Sequence, residues 1–164
     1  MLLRWLKILL VFSMGLMCLF YALQNLVNLD SAYAVVSTVT RMENHSYYPS
    51  TFGFALTSEP LIWLATAFIV CFELLAGIVF VFAAWHLLKK RKAPQKEFQS
   101  AKYLTHVGTA IALLIWFGLF QTLGGAFFQM WQTELGDASF DGSFAYLASI
   151  ALVTLFVNLV EPTN

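Results

Sequence analysis

The chain has 164 residues, of which 60% are hydrophobic and only 11% charged. Its mean hydropathy is +0.74, and it carries 16 Phe and 5 Trp. A soluble domain of this size has too much surface to cover with so few charges, since average domains hold about 25% charged residues. This excludes a disordered chain and a nucleic-acid binder built on a basic face, and leaves an integral membrane protein: a single four-helix membrane domain covering residues 1–164.

A helix needs about 20 apolar residues to cross a bilayer core. Four runs satisfy this, at about 8–27, 61–88, 107–131 and 144–160. The first follows Arg4, Trp5 and Lys7. A basic start, an apolar stretch and Ala32-Tyr33-Ala34 resemble a cleavable signal, but the apolar stretch is longer than such signals use, and a retained helix is expected. The connection 28–59 is long for a bare turn. Val35, Val39 and Met42 share one helical face in it, so Ser31 to Met42 reads as a short interfacial helix. Pro60 opens the second span behind Thr57, Ser58 and Glu59, where a missing N–H costs nothing and an acid suits the helix dipole.

The formal charges balance at nine against nine, but they are segregated. Arg4 and Lys7 precede the first span, and Lys89, Lys90, Arg91, Lys92, Lys96 and Lys102 fill the connection between the second and third. Of the basic residues only Arg41 lies on the opposite side, with Asp30, Glu43, Glu59, Glu134, Asp137 and Asp141. The positive-inside rule then puts both termini and the 89–102 connection in the cytoplasm. Aromatic anchors agree: Trp5, Trp85 and Tyr103 fall at one boundary, Trp63, Trp131 and Tyr146 at the other. Cys18 and Cys71 both lie in apolar runs, so no cysteine framework staples a loop.

Polar residues within the spans are the candidate site. Glu73 lies near the middle of the second span. A charged side chain there costs roughly 2.5–3.5 kcal/mol even on the lenient insertion scale, so it must face the bundle, a partner or a wet cavity. At helical spacing Thr66, Ala76, Gly77, Phe80 and Ala84 share its face, mostly small residues suited to close packing. In the third span Gly118, Gln121, Thr122, Gly125, Gln129 and Gln132 form one small and polar stripe on its outer half. Glu73, Gln121, Thr122 and Gln129 are the intramembrane polar site, and Gly77, Gly118, Gly124, Gly125, Trp131 and Gln132 the face for helix packing or a partner. Cys18, Tyr21, Gln24, Asn25 and Asn28 line one side of the first span, and Thr154 and Asn158 stand four apart in the fourth. No catalytic constellation, metal-ligand cluster, phosphate loop or dinucleotide fingerprint is present, and neither a metal nor a cofactor is expected.

The string Gly124-Gly125, Phe128, Met130-Trp131-Gln132 has further company. With Phe98, Ala101-Lys102, Gly108, Trp116 and Phe120, and upstream Asn28, Asp30, Met42-Glu43 and Glu73, it resembles a bacterial family of predicted small integral membrane proteins, a domain of unknown function. This chain departs from the family at Ala126 and Phe127, where an acid and a tryptophan are usual. The resemblance implies four spans in a bacterial inner membrane and no established reaction.

Three functional readings follow. The leading one is a non-enzymatic inner-membrane protein, an accessory or stabilising subunit in contact with the lipid bilayer and with other membrane subunits or copies of itself. The second is a small transporter or channel using Glu73. The third is a haem- or quinone-binding protein, with His86 and His106 at similar depth on neighbouring spans as candidate haem ligands. The topology is tested with single cysteines at Ser50 and Ser100 in a chain lacking Cys18 and Cys71. An impermeant thiol reagent added to spheroplasts is expected to label position 50 and not 100; the reverse pattern inverts the orientation.

Overall fold

A computed structural model describes residues 1–48 and 50–161. Four helical rods cross the bundle. The first is α1, Leu2–Val27, which turns at Asn28 into α2, Leu29–Arg41. The second is α3, Glu59–Lys89, with Pro60 in its first turn as its position demands. After a short helix α4, Gln95–Ser100, the third rod comprises α5, Tyr103–Leu113, and a continuous π-helix, Leu114–Phe127. A 3₁₀ turn, Met130–Gln132, leads into the fourth rod, α6, Glu134–Asn158. All four rods are long and apolar enough to cross a membrane. In hydrocarbon a helix is the natural answer, because every backbone polar group must be bonded within the segment.

The differences from the sequence reading have local causes. The residues expected as a connection at 132–143 are helical from Glu134. Thr133 caps that helix by accepting from the Gly136 N–H at 3.1 Å, and Glu134 and Asp137 lie in its first turn, where acids suit the dipole. The short helix expected at 31–42 exists as α2. It continues the line of α1 antiparallel to α3 rather than lying apart from it, with Tyr33 stacked on Trp63 at 4.3 Å. The third rod ends at Phe127, short of the expected Trp131, because Gln129 takes a left-handed backbone conformation with φ 52°.

The core begins with the seam between α1 and α3, the most extensive contact in the molecule. Between helices in lipid there is little hydrophobic drive, so close approach of small residues has to supply the attraction. A Cβ placed on Gly77 would stand 2.6 Å from Leu19 Cγ, and one on Gly15 3.0 Å from Val81 Cγ2. Phe80 continues the seam to α5, where Gly108 gives it room: a Cβ there would meet the ring at 2.9 Å. Val11, Cys18, Phe80, Ala83, Leu87, Ile115 and Trp116 are fully buried around this line.

The end that carries Lys7, Arg4 and the basic connection, here the basic end, is tied by charge. Lys7 Nζ donates to Glu161 Oε1 at 2.5 Å and to the carbonyl of Leu159. Lys102 Nζ donates to the same Glu161 oxygen at 3.2 Å. Gln99 and Gln95 donate to the other carboxylate oxygen and to the Glu161 carbonyl, both at 2.8 Å. Arg4 Nη1 donates to the carbonyls of Arg91 and Ala93 at 2.9 and 2.7 Å, its guanidinium 4.6 Å from the Phe98 ring centre. One carboxylate therefore joins the start of α1, the start of the third rod and the tail that follows α6.

Lys7 is 0% exposed and Glu161 6%. Burial alone would raise the Glu161 carboxyl. The hydrogen bonds and charges of Lys7 and Lys102 outweigh it and hold the group below its ordinary value of 4.5. A depressed folded-state pKa contributes stability above the unfolded value and loses it as pH falls through the folded one. Glu161→Gln leaves two buried lysines without a counter-charge, and is expected to lower stability at neutral pH on the order of 3 kcal/mol. The gap between the two melting temperatures should close as pH drops below about 4.5. A gap that stays constant through that range would show that the charge plays no part.

Candidate functional site

Glu73 is 3% exposed and sits midway along α3. Ten residues separate it from Trp63 and twelve from Trp85, about 15 and 18 Å at helical rise, so it lies near the centre of the span. Its Oε2 accepts from Asn25 Nδ2 at 2.9 Å. That bond crosses the α1–α3 seam just beyond Gly77, where the two backbones run closest. Thr66, Ala76, Gly77, Phe80 and Ala84, the residues expected on the same face, are all buried with it. A straight α-helix preserves the sequence period, so the make-up of this buried face was readable.

The stripe on the third rod was read on the wrong period. With i→i+5 bonding in place of i→i+4, each turn takes more residues, and positions aligned on an α-helix drift apart. Gln121 turns to α6, where Nε2 donates to Ser143 Oγ at 2.7 Å and to the Phe140 carbonyl at 2.9 Å. Gly125 also faces α6, and a Cβ there would collide with the Phe140 ring. Thr122 is exposed. A Cβ on Gly118 would meet nothing within 4 Å, so that face is open. Gln129 and Gln132 lie beyond the π-helix altogether. Gln132 Nε2 donates to Gln129 Oε1 at 2.6 Å, and its own Oε1 accepts from the N–H groups of Tyr47 and Tyr48 at 3.0 and 2.8 Å. Trp131 meets Tyr48 edge-on at 5.2 Å, so this pair fastens the long connection to the bundle. Gly124 lies against Met130: a Cβ there would stand 2.5 Å from its sulfur.

The candidate residues therefore divide among several places. Glu73 is joined to Asn25 on α1, not to Gln121, Thr122 or Gln129. Gly77, Gly124 and Gly125 pack within the chain, and Trp131 and Gln132 hold the connection. Of the candidate packing face, Gly118 alone has open space beside it. Toward the basic end Thr109 and Thr154 share a hydrogen bond at 2.8 Å, and His106 Nε2 lies 2.6 Å from Asn158 Oδ1. His106 is thus engaged with α6, and both it and His86 face outward.

The sequence reading did not single out two features. The first is the Lys7–Glu161–Lys102 triad, whose partners stand up to 154 residues apart. The available signal was that Glu97 and Glu161 alone bring acid to the basic end. The second is a chamber of about 570 Å³ in the half of the bundle away from the basic end. α3 packs tightly on α5 but barely on the π-helix, so the second and third rods spread apart, and α2, packed on α3, covers part of the gap. Val36 and Val39 of α2, Ala65 and Phe68 of α3, and Phe120 and Phe128 of the third rod face it. Asn25 stands in its wall.

These features define a four-span integral membrane protein with a buried polar pair beside an apolar chamber. Residues 3–160 match the model of the family described as predicted small integral membrane protein (DUF2165), and the chain belongs to that family. No curated protein and no solved structure matches the chain.

Glu73→Gln keeps the shape and a hydrogen bond to Asn25, and is expected to leave the detergent melting temperature nearly unchanged. Glu73→Ala removes the bond and leaves a cavity, at a cost of about 1–2 kcal/mol. Equal melting of the two variants would show that the Asn25 bond does not hold the seam.

Proposed function

We propose that the chain is a non-enzymatic accessory or stabilising subunit of the bacterial inner membrane, with both termini cytoplasmic, packing against other membrane proteins or against copies of itself. The observation that carries this reading is the use of its intramembrane polar groups. Glu73, Gln121, Thr109 and Thr154 are each bonded to another segment of the same chain. Such bonds hold helices in register where lipid gives little drive for association. They suit a rigid body that presents a fixed surface more than a relay that must exchange protons along a path. The segregated lysines and arginines support the orientation.

The surface offered to a partner is the face of the π-helix at Gly118 and Thr122. Small residues there let a foreign backbone approach, and the exposed Leu114 and Phe117 flank them with apolar area. Gly118→Leu adds bulk into open space, so its melting temperature should match that of the parent chain. Co-purification of the native partner, or self-association in mild detergent, should be lost, together with complementation of a deletion strain. Full assembly and complementation by Gly118→Leu would remove this face from consideration. A folded and fully assembled Glu73→Gln chain that fails to complement would instead favour transport through Glu73, because an amide cannot cycle a proton.

A further inference from the structure

The chamber and the polar pair adjoin, and the helix-packing role of that pair leaves part of its chemistry unused. Asn25 gives one N–H to Glu73. Among the described residues its second N–H and its amide oxygen have no partner, and Asn25 lines the chamber. Elsewhere in the wall the polar side chains are satisfied: Thr40 Oγ1 donates to the Val36 carbonyl at 2.8 Å and Thr66 Oγ1 to the Ile62 carbonyl at 2.9 Å. The cavity thus presents aliphatic and aromatic surface with one spare donor and one spare acceptor, close to the middle of the membrane. Its volume, about 570 Å³, lies within the range of small-molecule sites.

We propose that the chamber binds a quinone carrying a hydrocarbon tail, its ring between Phe68, Phe120 and Phe128 and one ring oxygen on the Asn25 amide.

Depth selects this class. A phospholipid or fatty-acid anion cannot bring its charged head to the level of Glu73 without the cost of a mid-bilayer charge. A bare hydrocarbon chain would leave the Asn25 donor and acceptor unmet in an apolar cavity, which also costs free energy. A quinone is neutral, and its carbonyl accepts the free Asn25 N–H. The reduced quinol donates its hydroxyl to the Asn25 oxygen, so both redox forms find a complement without any change in the protein. The flat ring suits aromatic walls, and the tail extends along Val36, Val39 and Ala65. The inference does not rest on the accessory role, since neither Gly118 nor Thr122 lines the chamber.

The test uses the purified full chain in mild detergent. The probe is a decyl-substituted benzoquinone, and decylbenzene, which has the same carbon skeleton but no oxygen, is the control. The quinone is expected to raise the melting temperature and to bind saturably, with decylbenzene at least about tenfold weaker, the value of one hydrogen bond. Asn25→Leu should weaken the quinone by a similar factor and leave decylbenzene unchanged. Val36→Trp, which fills the chamber without touching the polar pair, should abolish binding of both. Equal affinity for the two probes, unimpaired quinone binding by Val36→Trp, or no saturable quinone binding at all would each overturn the proposal. Should Asn25→Leu fail to fold, the two probes and Val36→Trp still decide it.

Discussion

The bundle depends on what can hold helices together in a solvent as apolar as they are. Lipid chains compete on equal terms with leucine, so burying apolar area gives little net attraction. What remains is close backbone approach and interhelical hydrogen bonding. The α1–α3 seam uses both in sequence: Gly15 and Gly77 bring the helices together, and Asn25 to Glu73 locks them where the glycines end. Removing Glu73 from this setting would not create a more hydrophobic protein with the same fold. It would remove the hydrogen bond that reinforces the register the glycine contacts set.

Legibility in the sequence followed the regularity of the backbone. The four spans and the charge asymmetry depend on composition over twenty-residue windows and on nothing finer. The buried face of α3 depends on an undistorted period, and Thr66, Glu73, Ala76, Gly77 and Phe80 obey it. The stripe of the third span depended on the same period, and fourteen residues of π-helix dispersed it. No residue between Leu114 and Phe127 announces that change; a π turn answers to packing on neighbouring helices as much as to local preference. The triad around Glu161 was hidden for another reason. Lysines at a membrane boundary ordinarily reach to water and anionic lipid, and nothing local marks Lys7 and Lys102 as the two that turn inward. The start of α6 was obscured by polarity, since Glu134 to Asp141 reads as a connection until the cap at Thr133 is recognised.

The two ends of the molecule are built differently, and the difference has a cause in the third rod. In its α-helical part, Gly108 admits Phe80 and the rod lies close on α3. Where the π-helix begins, its wider turn carries the rod away from α3 and toward α6, with Gly125 against Phe140 and Gln121 on Ser143. A rod that leans on α6 along this stretch cannot also lie flat on α3. The pocket that results has mostly apolar walls, and any part of it left empty forfeits the dispersion energy of its lining. α2 closes part of it. Its Leu29–Arg41 helix carries Val35, Val36 and Val39 into the gap, which explains why a connection exposed at the membrane edge is helical and amphipathic rather than an extended link.

Such an arrangement is stable only if the opposite end resists the spreading. The Glu161 triad does this. It ties the start of α1, the start of the third rod and the tail after α6 at one oxygen pair, so divergence at the far end is a splay about a fixed base rather than a loss of the bundle. Charge is tolerated there because the site lies at the end of the helices, where each lysine needs to travel only a short distance from water. It is disfavoured beside the chamber, where the Glu73 carboxyl is held by an amide rather than by a counter-charge. The fold therefore places its strongest electrostatic tie where desolvation is least costly and its open volume where hydrocarbon can enter, and the π-helix is the element that opens that volume.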